Sequence, residues 1–418
     1  MLDRKIAPLT KKIDNIEFIC PRELQLNSHA KLFWMSDVPN QTSRIDLFFD
    51  AGLRQDRNII ASLCSSLLLS GTQEKKSTQI HNEIDALGAY FDIGLSHEGV
   101  LISIFALKSN ISESFKLIYS TIQDAVFPEK EIIEVVNEKR DKFKINLSKV
   151  GFLAQREFQK KIFFNTPYKE LTELEDFDNI SREDLIKFHN KHFKNGLSRI
   201  AVTGALLEDE INEIKDLCTP NCISKKLSYY TNFDNKPGVY HIDKTNALQS
   251  AIRIGRTMFN KTHEDFMDFS ILNTVFGDYF GSRLMKNIRE DKGFTYGIGS
   301  ALAETGGSGY FIIGSEVGIQ HKEASLQEIQ KEMKIIAENP IPEAELSLVK
   351  NYILGQILKL ADGPYAMMDL YLSVDAYGLN MDFYNTYINR IHSITSEDIN
   401  KMANKHLNWD SMTVVTSG

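Results

Sequence analysis

Arg289 and Tyr296 are the residues of this 418-residue sequence best placed, by type and spacing, to do chemistry. They stand seven positions apart in the run Gly281-Ser282-Arg283-Leu284-Met285-Lys286-Asn287-Ile288-Arg289-Glu290-Asp291-Lys292-Gly293-Phe294-Thr295-Tyr296-Gly297. Leu284, Met285 and Ile288 fall at helical spacing, Lys292-Gly293 is a stop signal, and Phe294 to Ile298 alternates like a strand entering a sheet. The run therefore predicts helix, turn, strand. A guanidinium near the helix end and a phenol on the strand can then converge on one pocket and hold a peptide carbonyl as it gains negative charge. The competing reading makes Arg289 a surface helix residue and Tyr296 a half-buried strand residue.

Other reactive residue types form no comparable constellation. His189 and His192 share a helix face at i, i+3. A later copy of the segment puts Ala403 at the first position and keeps His406 at the second, which favours a structural role. Cys218 and Cys222 are half of a metal site at most, with no second Cys or His pair to complete it. Ser65 and Ser66 lack the strand-turn-helix elbow and the paired His that would make either a nucleophile, and read as small residues packing a helix. Gly306-Gly307-Ser308-Gly309 has neither the frame nor the Lys of a phosphate loop.

The elements that position Arg289 and Tyr296 follow from an internal similarity. Residues 180–204 align without a gap on residues 394–418, with eight of 25 positions identical at an offset of 214. At the same offset Phe127-Pro128-Glu129-Lys130-Glu131-Ile132 falls on Ile341-Pro342-Glu343-Ala344-Glu345-Leu346. One block predicts a helix opened by an N-cap at Ser181 or Ser396, ending near His192 or His406, and followed by an apolar strand. The other predicts a long helix begun by Pro and acidic residues. Strands are expected over Ser43 to Phe49, Gly99 to Leu107, Ser250 to Gly255 and Gly309 to Ser315. The predicted fold class is α+β: two similar halves, each a mainly antiparallel sheet covered by helices. The halves are placed at residues 1–224 and 239–418, joined by a turn-rich linker at 225–238. A smaller echo sets Gly88 to Gly94 beside Gly293 to Gly299 and pairs Phe91 with Tyr296.

Composition narrows the function classes. The chain is 42% apolar and 25% charged with a formal net charge of −8, so it has no basic footprint for nucleic acid. No run of about 18 apolar residues suggests a membrane span, and Met1 to Pro8 carries no apolar leader segment. Four cysteines fit a reducing compartment, and the expected location is cytoplasmic.

The run Ser-Arg-Leu, Ile-Arg-Glu, Lys-Gly-Phe-Thr-Tyr resembles the Arg/Tyr motif in the second half of the pitrilysin or insulinase-like zinc metallopeptidases. The resemblance extends from about residue 17 to the C-terminus. It implies that Arg289 and Tyr296 help to bind substrate and stabilise the transition state. The family's zinc site lies in the first half, as Gly-x-Arg-x-Glu, then H-x-x-E-H, then Gly-Thr, with a glutamate about 75 residues later. Gly52-Leu53-Arg54-Gln55-Asp56 resembles the opening, and Ser70-Gly71-Thr72 the end. Between them Ser62, Ser65 and Ser66 stand where His, Glu and His are expected. The region of the third ligand reads Glu138-Lys139-Arg140-Asp141-Lys142-Phe143. Serine hydroxyls are poor zinc ligands and cannot replace the carboxylate base. No metal is therefore expected in this chain. In two-chain members of the family one subunit carries H-x-x-E-H and the other Arg/Tyr, closing around an unfolded peptide. By that resemblance this chain is the non-zinc subunit, inactive alone, with zinc in a homologous partner. Self-association as a homodimer is the other arrangement. The alternative function is a catalytically silent structural or peptide-binding homologue.

Overall fold

A computed structural model describes residue 13 and residues 16–36 and 41–418. The reading of Met1 to Pro8 lies outside the described residues. Eleven strands are described: β1 (Arg22–Gln25), β2 (Lys31–Met35), β3 (Thr42–Phe49), β4 (Tyr90–Leu95), β5 (Val100–Leu107), β6 (Leu197–Thr203), β7 (Gly238–Ile242), β8 (Gln249–Met258), β9 (Thr295–Thr305), β10 (Ser308–Gly318) and β11 (Thr413–Ser417). They form two sheets, ordered β1-β2-β6-β3-β5-β4 and β7-β11-β8-β10-β9. In each sheet one described pair is parallel, β2 with β6 and β7 with β11, and the rest are antiparallel. Apart from β1, the two strand orders coincide. The α+β class of two similar halves is the observed architecture, and β4 and β9 are its corresponding edge strands.

The helices recur at the sequence offset. Glu129–Asn146 corresponds to Glu343–Leu360, each with Pro at the N-cap and two glutamates in the first turn, where the helix dipole favours anions. Arg182–His192 corresponds to Ser396–His406, and each opens with a capping box. In the second copy the cap is Thr395 rather than the expected Ser396. The Thr395 hydroxyl accepts from the Asp398 amide, while Ser396 is already the first helical residue and donates to the Ile341 carbonyl.

Each sheet buries one face under helices of its own half, in cores that include Ile45, Leu47 and Phe115 in the first half and Ile252, Ile254 and Phe269 in the second. The opposite faces are covered by exchange. Helix Val150–Ile162 lays Ala154, Phe158 and Ile162 against Ala251 of β8 and Val415 of β11. Its counterpart, Pro364–Asp375, packs Met367, Leu370 and Val374 into the cluster that holds Phe33 and Met35 of β2, and Tyr371 meets Phe33 at 5.2 Å. Arg199 of β6 reaches Asp375 at 3.2 Å. The linker is pinned across this junction, with Phe233 packed on Tyr168 at 5.1 Å and Tyr229 under Arg54 at 5.5 Å.

Because Phe158 is fully buried between a first-half helix and the second-half sheet, its loss removes core shared by both halves. Phe158→Ala is expected to cost about 3–5 kcal/mol in global stability. Chemical denaturation followed separately by probes in each half should show both midpoints falling together.

Candidate active-site segment and the vacated metal position

The Arg289 segment is anchored before it reaches the strand. Leu284, Met285 and Ile288 are buried as their spacing predicts, and Arg283 makes a two-pronged pair with Glu345 at 2.8 and 2.9 Å. Residues Met285–Asp291 wind as a π-helical turn instead of an ordinary α-helix, seen in the i, i+5 bond from the Lys292 amide to the Asn287 carbonyl at 3.0 Å. Gly293 then takes a φ of +66°, a left-handed conformation open to glycine, and the Phe294 amide returns to the Ile288 carbonyl. Phe294 stacks on His321 at 4.6 Å.

A β-bulge aims Tyr296. β10 pairs Val317 with Thr295 and Ser315 with Ile298, so Tyr296 and Gly297 together oppose the single residue Glu316. Strict alternation would send Tyr296 inward with the buried Ile298. The extra residue breaks that period, and Tyr296 is 96% exposed rather than half-buried. Hydroxyls hold the bulge: Thr295 Oγ1 accepts from the Gly297 amide at 3.1 Å and donates to the Glu316 carbonyl at 2.7 Å. Ser315 Oγ donates to the Gly297 carbonyl at 2.9 Å. Phe91, its counterpart in β4, lies in an unbulged edge strand and packs against the first-half core.

The structure brings Arg289 and Tyr296 together through the main chain. Arg289 Nε donates to the Tyr296 carbonyl at 3.0 Å, and the guanidinium lies over the exposed Phe280 ring at 4.5 Å. No hydrogen bond to the phenol is made among the described residues, so the phenol and the guanidinium edge stand as donors on an open rim. The rim adjoins a shallow cavity of about 540 Å³ lined by Gln249, Arg253, Tyr296 and Glu316.

The degenerate metal positions lie on helix Asn58–Ser66. Ser65 is buried and donates to the Ala61 carbonyl at 2.7 Å; Ser66 is exposed and donates to the Ser62 carbonyl at 3.0 Å. Ser62 is half-buried, and its Oγ accepts from Lys139 Nζ at 3.1 Å. Glu138 turns away to Lys142 at 2.5 Å, and Asp141 to Lys144 at 3.8 Å. Three hydroxyls and an ammonium do not fit a zinc ion. Among the described residues no group of three or more His, Cys, Asp or Glu side chains could hold a metal. In the sequence Lys139 stands between Glu138 and Arg140, and nothing local marks its contact with Ser62.

The remaining candidates serve the fold. His189 bonds the Ile122 carbonyl and His192 the Asp50 carbonyl, each at 2.6 Å, and burial lowers both pKa values. Cys218 and Cys222 are buried thiols whose pKa values burial raises. Gly306 and Gly307 turn the β9–β10 hairpin.

Two matched sheets with exchanged helices, an Arg/Tyr pair at one edge strand and three serines beside the other give the chain a pitrilysin-type architecture. Residues 32–165 match the family description "Insulinase (Peptidase family M16)", and residues 179–353 match "Peptidase M16 inactive domain". The chain belongs to the M16 peptidase family. An "uncharacterized zinc protease" of Rickettsia bellii is 23% identical over 358 residues, covering 83% of this chain and 84% of that protein. The "non-peptidase homolog YmxG" of Helicobacter pylori is 22% identical over 379 residues, 88% of this chain and 86% of its own length. Rattus norvegicus "mitochondrial-processing peptidase subunit beta" is 21% identical over 408 residues, 90% and 80%. The crystal structure of a peptidase M16 inactive domain from Pseudomonas fluorescens superposes with a TM-score of 0.87 at 22% identity, covering 95% of this chain and 98% of that one.

Two outcomes follow from this geometry. Thr295→Val leaves the Gly297 amide without its hydroxyl acceptor; a loss of about 1–2 kcal/mol is expected, with faster hydrogen exchange at Gly297 than elsewhere in β9. Elemental analysis of the purified chain after zinc exposure and dialysis should find no stoichiometric zinc; about one retained ion per chain would contradict the reading of Ser62, Ser65 and Ser66.

Proposed function

We propose that this chain is the non-zinc subunit of a two-chain metallopeptidase and lends Arg289 and Tyr296 to a substrate bound on a homologous partner. The observation that carries this reading is the aim of Tyr296, turned almost wholly to solvent by the bulge with the Arg289 guanidinium beside it. A phenol and a guanidinium are both donors: the phenol has no acceptor among the described residues, and the guanidinium spends its Nε on the Tyr296 carbonyl while its outer nitrogens face the rim. The carbonyl of an unfolded peptide is a matching acceptor, and it strengthens as it gains negative charge in the transition state. Zinc bound in the partner supplies the activated water and polarises the same carbonyl. Ser62, Ser65 and Ser66 supply none of that chemistry, so this chain alone cleaves no peptide.

The family resemblance and the name of the rat relative, a subunit, support a heterodimer; a homodimer would bring two zinc-free halves together and leave hydrolysis without a base. Four free thiols support a cytoplasmic location. Among the described residues no helix is long and apolar enough to cross a membrane. A second reading, a catalytically silent homologue, is favoured by the inactive-domain match and by the relative named a non-peptidase.

The readings separate in the reconstituted complex. Arg289→Ala and Tyr296→Phe are each expected to lower turnover on the order of 10²-fold, as loss of an oxyanion donor does, with subunit affinity unchanged. A silent homologue gives the opposite pattern, in which any loss of activity tracks weakened folding or assembly. Full turnover in the doubly substituted complex would remove the catalytic role.

A further inference from the structure

The first-half site carries an unspent pair of donors. Ser65 and Ser66 discharge their hydroxyl protons into their own helix, onto the Ala61 and Ser62 carbonyls. Ser62 does not: its oxygen accepts from Lys139 Nζ, and among the described residues its own proton has no acceptor. Lys139 is likewise incomplete. Its ammonium is partly buried, which lowers its pKa, and its one described hydrogen bond goes to that neutral hydroxyl. The nearest carboxylate in sequence, Glu138, is committed to Lys142. A partly desolvated ammonium whose neighbour is another donor is short of negative charge as well as of acceptors.

We propose that Ser62 and Lys139 form a carboxylate-binding site in which the chain's own fixed cation stands where the family holds a metal. The ligand class is a peptide carboxylate, with one oxygen on the Lys139 ammonium and the other on the Ser62 hydroxyl. A main-chain carbonyl fits less well, since it supplies neither the second acceptor nor the charge. The site does not depend on Arg289 or Tyr296, and it converts the vacated first half from a relic into an anchor for peptides that this half cannot cut.

The test uses the isolated full chain and three acetylated alanine pentapeptides: one with a free C-terminal carboxylate, one C-terminally amidated, and one amidated with Glu replacing the fourth Ala. In calorimetric titration the better of the two carboxylate peptides is expected to bind at least about 10-fold more tightly than the neutral amide, the size of one charge-assisted hydrogen bond. Which of the two prevails tells whether the site reads chain ends or acidic side chains. Lys139→Met is expected to abolish the preference, and Lys139→Arg to retain part of it. Thermal unfolding of Lys139→Met should show a folded chain, because the substitution removes an uncompensated charge and keeps the aliphatic stem. Equal binding of all three peptides, no binding of any, or a preference that survives Lys139→Met would each overturn the proposal. Because no partner subunit and no turnover enter the measurement, its failure leaves the Arg289 and Tyr296 reading untouched.

Discussion

A sheet with apolar residues on both faces must cover both in water, and in this chain neither half covers its second face with its own helices. The uncovered face of the first sheet presents Phe33, Met35 and Ala201, and that of the second presents Ala251 and Val415. Each is sealed by a helix from the other half, Pro364–Asp375 and Val150–Ile162. A fully buried Phe or Leu is worth about 1.5–3 kcal/mol, so several such residues on each exchanged helix make the two halves mutually dependent. Polar groups follow the same crossing. Arg44 of β3 is buried between Asp46 of its own strand and Asp369 of the exchanged helix. Losing one member of such a set would leave a charge stranded in low dielectric.

With both faces occupied, the free chemistry of each sheet is pushed to its edge. β4 and β9 hold the same place in their strand orders, and helix Asn58–Ser66 packs beside β4 as the π-helical turn Met285–Asp291 does beside β9. The two edges carry opposite solutions. At β9 the irregular turn and the bulge send a guanidinium and a phenol outward. At β4 the strand is regular, Phe91 turns to the core, the neighbouring helix carries three serines, and Lys139 reaches Ser62 from helix Glu129–Asn146. Donor side chains gather at both edges, Arg289 with Tyr296 at one and Lys139 with Ser62 at the other.

How much of this was legible in the sequence depended on the range of the contacts involved. The offset of 214 carried helices Glu129–Asn146 and Arg182–His192, strand β6 and their second-half copies, because local caps and apolar runs repeat with it; the shared strand order was not legible. The misplaced cap at Ser396 came from treating the second copy as serine-led, although the same offset takes Ser181 to Thr395. The helix exchange was not legible, since helices Val150–Ile162 and Pro364–Asp375 show amphipathic patterns that do not say which sheet they meet. Nor was the exposure of Tyr296, because alternation from Phe294 to Ile298 is a local signal and the bulge is set by Glu316 on the neighbouring strand. Lys139 needed Ser62, 77 residues away, to acquire a meaning.

The irregular backbone around Arg289 bears on what the second half is for. Stability alone would favour an α-helical turn before Gly293 and an unbulged strand with Tyr296 turned inward, as β4 achieves with Phe91. Instead the chain accepts a π-helical turn, a geometry found mainly as single turns and often at functional sites, and a bulge that interrupts a ladder. It also leaves the large aromatic side chains Tyr296 and Phe280 in water, forgoing their burial. The compensating contacts are specific: the Thr295 and Ser315 hydroxyls take up the main-chain groups that the bulge frees, and Arg283 with Glu345 braces the turn. Such bracing contributes nothing to a sheet that needed only to pack. It fixes the direction of one phenol and the position of one guanidinium. The first half shows no such irregularity in its edge strand, so the cost is confined to the edge that carries Arg289 and Tyr296.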